Sequence, residues 1–438
     1  MTATGGRHFR LYCSTQQGRP DIRYRRVLVR HTDSTVVRRN VTLRLVRQSR
    51  TRMQQLGRLA RDFVYRMSYG ALCKAEDVFR EEHDDDGSLY KCLVIAGVAS
   101  GQTSESRAAA LQMLLSDTPV VAFLNQAAAC GMDVTGVSLV VHEEPPFGLE
   151  SYRQGSGRAN RCGVECDGTV CNCHGDAVLL AAYSDLGPLL SLQIYTIVKS
   201  ESRKVAQGAL TEAARTIVDG GTIPSVHVEA WIGMVRHVVS HGQCCRTAQG
   251  FAHDCAALAC QLGSGRVLAC SVCVEGTCAS CAFDPAAPVL VDVRQVVDVL
   301  LRELESALAT DNGRVTELQL VKAAKGPARL ALTSLGLRHK HGAPLAMDDM
   351  LHVVYVLIID GFIEHYVAGE AHGVYVFILC NLCCCYYLSV LSFTELTTFC
   401  RPHIYVLHCS YSFPLATICL SRYTPPSMFL RQVHPSVV

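Results

Sequence analysis

Short unbroken apolar runs alternate along the first half of the chain with stretches whose apolar residues recur every three to four positions. Residues 119–124 (PVVAFL) and 137–142 (VSLVVH) have the length and β-branched content of buried parallel strands. Residues 63–67, 91–97 and 175–183 read the same way, and residues 19–30 read as a turn feeding a further short strand. Helical spacing predicts helices over 41–61, with an arginine-rich face, over 68–79 and over 104–115. The order β-α-β-α-β-β predicts an α/β lobe on a parallel sheet. Beyond it, helices are predicted over 200–218 and 226–240. Asp292 can cap another whose Val293, Val296, Val297, Leu300, Leu301, Leu304 and Leu308 form one apolar stripe. A last helix over 348–359 precedes a strand, a six-residue tip and a return strand within 361–378.

Charge changes this picture at one end. The chain has 438 residues and a net charge of +2, yet residues 1–66 hold 16 Arg and no Lys against Asp21, Asp33 and Asp62. That is a local charge of +13, leaving −11 for the remainder. So dense a basic start suits either contact with nucleic acid or a solvated, partly disordered arm. Residues 1–13 (MTATGGRHFRLYC) contain no apolar leader, so secretion is not expected. The 23 cysteines are then expected in a reducing compartment, where clustered thiols point to metal before disulfide. Residues 374–393 are uncharged and long enough to cross a bilayer, but the return strand uses their first part and Asn381 interrupts them, so no membrane span is expected.

Two polar clusters follow the two central strands, at the ends where open α/β sheets bind ligands. One runs from Asn125 and Gln126 to Gly131, Met132 and Asp133; the other is Gln154, Gly157, Arg158 and Arg161. Glycine permits close backbone approach, and arginine presents a planar charged fork suited to phosphate. Residues 119–161 resemble motifs V and VI of superfamily-2 helicases. Within these, the run PP-x-x-LESY-x-Q-x-x-GRA-x-R, residues 145–161, is most similar to the RecQ DNA helicases. The resemblance extends over roughly residues 19–378: RPDIRY is similar to the segment joining the two RecQ lobes, and residues 63–79 to motif IV. It departs at Arg66, at Ala129 and Asn160, where glycine is usual, and in the cysteine-rich insertion 162–174.

The resemblance implies a RecA-like parallel-sheet lobe, a helical zinc-binding subdomain and a winged-helix (α+β) domain. The expected division is a basic arm and lobe junction (1–40), the second RecA-like lobe (41–190), the zinc-binding subdomain (191–283), the winged helix (284–379) and an unassigned Cys/Tyr-rich tail (380–438). It implies that Arg161 is an arginine finger, that Arg158 senses the γ-phosphate and that Gln154 sits near the nucleotide. It implies that Asp133, Gly131, Gly157 and Asn125 are nucleotide-binding, with Asp133 and Asn125 coupling nucleotide state to the DNA backbone. His142 reads as a strand-end residue without a catalytic role.

Four thiolates in tetrahedral array close a structural zinc site, and a C-x-x-C turn supplies two of them. By position these are Cys245, Cys260, Cys270 and Cys273, with Cys244 and Cys255 competing for the first two. Cys278 and Cys281 form a second such pair, while Cys162, Cys166, Cys171 and Cys173 have spacings that fit no familiar zinc pattern. DNA-contact candidates are Lys322, Lys325, Arg329, Arg338, Lys340, Tyr366 and His372, the last two flanking a small acidic tip at residues 368–371.

Phosphoryl transfer needs a phosphate-binding lysine, magnesium and its acidic ligand together. The sequence contains neither G-x-x-x-x-G-K-[ST] nor D-E-x-H. ATP and Mg²⁺ are therefore expected only where another polypeptide supplies a first lobe. The resemblance implies ATP-driven 3′–5′ DNA unwinding in recombination, repair or replication, in the nucleus. The alternative is a non-enzymatic, zinc-containing DNA-binding or regulatory remnant of such a helicase.

Overall fold

The computed structural model describes residues 22–29, 34–67, 69–84, 91–96, 102–125, 128, 132, 134–160, 175–204, 225–240, 245, 289–292, 294–310, 315–324, 347–370, 373–380 and 398–401. Six strands form one fully parallel sheet: β1 (Ile22–Leu28), β2 (Arg61–Tyr65), β3 (Lys91–Ile95), β4 (Val120–Leu124), β5 (Val137–His142) and β6 (Gly175–Ala181). Their order across the sheet is β1-β6-β5-β2-β4-β3. Every residue of β4 and β5 is buried, as expected for central strands covered by helices on both faces. The expected RecA-like α/β arrangement is thus present.

The sheet takes in Ile22–Leu28, which the sequence placed in a junction ahead of the lobe; β1 pairs with β6 from Ile22↔Gly175 to Leu28↔Ala181. The arginine-rich helix α1 spans Ser34–Gln55 rather than 41–61. It stops where Gly57 takes a φ of 64°, a left-handed conformation that glycine adopts without penalty. Arg61 therefore opens β2, its guanidinium donating to the Ser116 carbonyl at 3.0 Å.

Helices α1 and α2 (Tyr69–Asp84) cover one face of the sheet through Leu43, Val46, Leu72 and Phe79. The other face packs under α3 (Ser104–Leu115) and α4 (Leu149–Ser156). Its core continues into α5 (Leu186–Lys204) and α6 (Ser225–Val239), then into α7 (Arg294–Thr310) and α8 (Met347–Ile359). The predicted helix over 200–218 is the end of α5 as far as Lys204; residues 205–218 lie outside the described residues.

Strand β7 (Val289–Asp292) precedes α7 and ends at Asp292, and β8 (Ile363–Glu370) with β9 (Gly373–Cys380) forms an antiparallel hairpin after α8. Pairing continues to Glu370↔Gly373, so residues 368–370, expected in a tip, are strand residues. Thr398–Arg401, from the unassigned tail, forms β10 against β7. Among the described residues no helix is long and apolar enough to cross a membrane.

Candidate functional site

Strand β5 ends at His142, and the chain then turns back across it. The turn is close: a Cβ on Gly148 would sit 3.2 Å from the Cβ of Ala230 in α6. Helix α4 runs back along the strand, and the Asn160 N–H donates to the Val137 carbonyl at 2.7 Å. Arg158 is therefore delivered to the N-terminal end of β5, not to the C-terminal end that strand order alone suggested. An eight-residue helix is about 12 Å long, enough with its following turn to retrace a six-residue strand.

At that end Arg158 meets the segment that leads into β5, while Asn125 stays at the opposite, C-terminal edge of the sheet. Arg158 donates through Nη1 to the carbonyl of Met132, tying the turn after α4 to the segment joining β4 and β5. Gln154 is half-buried, and its Nε2 reaches Glu150 Oε1 at 3.5 Å. Asn125 follows β4, where its Oδ1 accepts from the Ala128 N–H at 3.0 Å, closing a turn. Gly157 ends α4, and a Cβ there would lie 2.9 Å from the Arg153 carbonyl. Gly131, Asp133 and Arg161 lie outside the described residues.

Asn160, at a position where the resemblance led one to expect glycine, has a φ of 52°. Asparagine is one of the few side chains that enter this left-handed region readily, which explains how the turn is kept without glycine. Its side chain imposes a requirement on the next strand. A Cβ on Gly175 would lie 2.8 Å from both the Cβ and the backbone nitrogen of Asn160.

The C-terminal edge of the sheet has a different character. Tyr65 stacks on His142 with centroids 4.7 Å apart, Tyr152 meets His142 edge-on at 5.0 Å, and a tilted contact at 5.2 Å continues from Tyr152 to His237. Burial holds the His142 imidazole neutral, its pKa lowered to about 3. A Cβ on Gly155 would lie 2.7 Å from His142 Cε1, so the glycine lets α4 cross over the ring. Outside this stack, Arg66 pairs with Glu143, Glu144 accepts from the Met67 N–H at 3.1 Å, and Arg38 pairs with Asp185. Burial raises the Asp185 carboxyl, while Arg38 opposes that shift. The acids along this edge are thus answered by local donors. Arg66, a departure from the related motif, is half of one such pair.

Sequence reading missed a second polar centre, at the opposite edge. Asp62 is fully buried, and its Oδ1 accepts from the Ser49 and Ser138 hydroxyls, each at 2.7 Å. Burial is the main cause that pushes its pKa up to about 7. The signal available was an aspartate inside the otherwise apolar strand RDFVY.

Of the four zinc candidates only Cys245 is described; it is buried in the core, and Cys260, Cys270 and Cys273 lie outside the described residues. Among the described residues no group of three or more His, Cys, Asp or Glu converges as a metal site. Lys322 is exposed on a short helix over 317–324, and Tyr366 sits in β8 opposite Phe377. Lys325, Arg329, Arg338, Lys340 and His372 lie outside the described residues.

Residues 74–163 match the family described as the helicase conserved C-terminal domain. No curated protein is matched. Among solved structures, the chain is similar to a DEAD-box protein of Methanococcus jannaschii at 17% identity and TM-score 0.28, covering 39% of each chain. It is similar to the E. coli DEAD-box protein SrmB at 14% identity and TM-score 0.28, over 45% of this chain and 95% of that one. Dbp5 of S. cerevisiae, solved with RNA and ADP BeF3, gives 14% identity and TM-score 0.27 over 38% of this chain and 37% of that one. The chain thus spans well under half the length of the first and third of these. The stretch from 74 to 163, with Arg158 near its end, is the part of this parallel α/β lobe that matches the helicase conserved C-terminal domain.

Proposed function

We propose that the chain provides the second lobe of an ATP-driven, RecQ-type DNA helicase moving 3′ to 5′, working with a first lobe that carries the phosphate loop. The observation that carries this reading is the bond from Arg158 to the Met132 carbonyl, which joins the two motif segments into one unit. In this role Arg158 positions the segment, and Arg161 is the guanidinium that reaches the nucleotide across the cleft. A charged fork there stabilises negative charge as it spreads in the transition state. Gln154 lies one helical turn before Arg158 and orients the nucleotide. Cys245, Cys260, Cys270 and Cys273 hold a structural zinc, and the β8–β9 hairpin serves as the wing of a winged-helix domain. The enzyme would work in the nucleus.

The test is ATP hydrolysis by this chain joined to a lobe bearing a phosphate loop, with single-stranded DNA or RNA as activator. Arg161→Gln is expected to lower turnover by about 10³-fold or more. Unchanged turnover in both Arg161→Gln and Arg158→Gln sinks the proposal, and activation by RNA alone revises the substrate. A second reading rests on the sequence containing neither a phosphate loop nor D-E-x-H. It is a non-enzymatic nucleic-acid-binding protein, and it predicts binding that ignores nucleotide.

A further inference from the structure

Helix α1 carries six arginines (Arg38, Arg39, Arg44, Arg47, Arg50 and Arg52) and no acidic residue. Arg38 pairs with Asp185 and Arg52 with Asp176, the latter at 2.7 Å, and Arg39 and Arg50 also have partners. The helix buries Thr42, Leu43, Leu45, Val46, Ser49 and Met53 toward the sheet. Arg44 and Arg47 are exposed on the other side, and among the described residues neither makes an ion pair. Arg50, half-buried and with a partner of its own, follows at the same three-residue interval, so the ridge that Arg44 and Arg47 open is about 9 Å long. Residues Asn40, Gln48, Thr51 and Gln54 complete that exposed face, and Arg58 is exposed just beyond it.

Two further observations select the partner. At the C-terminal edge of the sheet, where a ligand of an open α/β fold would be sought, the described arginines Arg66 and Arg38 are matched by Glu143 and Asp185, and Glu144 lies beside them, so among the described residues there is no surplus positive charge there. The surplus lies on α1, whose apolar residues pack on the sheet face opposite the one under α4. Val36 and Val37 at the start of the helix and Leu56 just past its end are exposed, but from Asn40 to Gln54 the ridge contains no exposed apolar residue, so it lacks the continuous apolar face an interfacial helix would insert into lipid. A ridge about 9 Å long matches roughly three phosphates at about 3.4 Å each along a duplex strand, and arginine forks fit phosphate oxygens bidentately.

We propose that the exposed face of α1, centred on Arg44 and Arg47, is a phosphate-backbone contact surface for nucleic acid. It is separate from the Arg158 segment and grips the strand without reading bases. This rests on the reading of the chain as acting on nucleic acid, and deepens it by placing a second contact on the far face of the lobe.

The experiment is fluorescence anisotropy of the full chain with labelled single-stranded DNA, single-stranded RNA and duplex DNA across a salt series. Arg44→Gln/Arg47→Gln is compared with a charge-matched control, Lys74→Gln/Lys91→Gln. Circular dichroism melts confirm that each variant is folded, and Arg44→Lys/Arg47→Lys keeps the charge should the Gln pair melt early. On duplex DNA the Gln pair is expected to flatten the slope of log K against log salt by about 1.8, and on single strands by about 1.4. Its affinity should fall by about tenfold at low salt, equally for unrelated sequences, while the Lys pair keeps the parental slope. Parental slope and affinity in the Gln pair overturn the inference and leave the functional reading standing. No binding by the parent overturns both. Loss of binding to phosphatidylserine vesicles, with nucleic-acid binding intact, assigns the ridge to a membrane and also overturns it.

Discussion

The imidazole of His142 lies stacked on the ring of Tyr65, with centroids 4.7 Å apart and planes 13° apart. The two residues end neighbouring parallel strands, β5 and β2, and are register partners in the sheet. Tyr152 closes the stack from α4, so the helix that carries Gln154 toward Arg158 is seated on a buried ring. The seat works only while that ring is neutral, because a charged imidazole there would be buried without compensation.

Stability should accordingly depend on pH in two opposing ways. His142 titrates near 6.5 when unfolded and near 3 when folded, so its contribution is present above about pH 6.5 and is lost as pH falls toward 3. Asp62 moves the other way, from 3.8 to about 7, so its contribution is present at low pH and is lost as pH rises through 7. The Ser138 and Ser49 hydroxyls and Arg52 favour its ionised form, Asp176 disfavours it, and burial outweighs them all. Each effect amounts to several kcal/mol, on the order of 4. Between about pH 4 and 6.5 they cancel, giving a nearly flat profile. Asp62→Asn should remove one of them, so that stability rises across that interval and exceeds the parent above pH 7. Urea denaturation from pH 4 to 8 reads this directly, and parallel profiles for parent and variant would refute it.

Asn160 tests the turn that delivers Arg158. At a φ of 52°, Asn160→Gly should change stability by less than about 1 kcal/mol, since glycine accepts this conformation freely. Asn160→Val should cost about 1–2 kcal/mol, because a β-branched residue resists the left-handed region. Equal denaturation midpoints for the two variants would contradict the assignment.

Gly187 joins the lobe to the C-terminal helices. Its N–H donates to the Tyr355 hydroxyl at 2.9 Å, and a Cβ there would lie 2.6 Å from Glu317 Oε2. Glu317 in turn meets His365 Nε2 at 2.8 Å, which ties the β8 strand into the same cluster. Helix propensity alone predicts that Gly187→Ala stabilises by about 0.5–1 kcal/mol. The packing predicts the reverse, a loss of about 1–3 kcal/mol, and Glu317→Ala in the same chain should recover part of it. A double-mutant cycle measures the coupling, and additivity within about 0.3 kcal/mol would argue that the two residues are not in contact.

Much of the lobe was legible from local pattern. Central parallel strands are buried on both faces, so they appear as continuous apolar runs, and residues 120–124 and 137–142 were found almost to the residue. Helix α3 was legible through its spacing, and the structure adds the Thr103 cap, whose hydroxyl accepts from the Ser106 N–H at 3.2 Å. Pattern failed where a distant segment decides. The strand at Ile22–Leu28 was read locally, but four of its seven residues are not fully buried, and only its pairing with β6, some 150 positions away, makes it part of this sheet rather than of a junction. The start of α1 was missed because Arg38, near its first turn, is an interior residue only by virtue of Asp185.

The sequence by itself determined the order of strands and helices, the GRA-x-R motif and the concentration of arginine at one end, because these are properties of neighbouring residues. Only the tertiary structure decided which end of β5 receives Arg158, which arginines of α1 pair and which face solvent, and that Asp62 and His142 titrate in opposite directions. Those outcomes depend on burial and on contacts between segments tens to hundreds of residues apart, which no local pattern encodes.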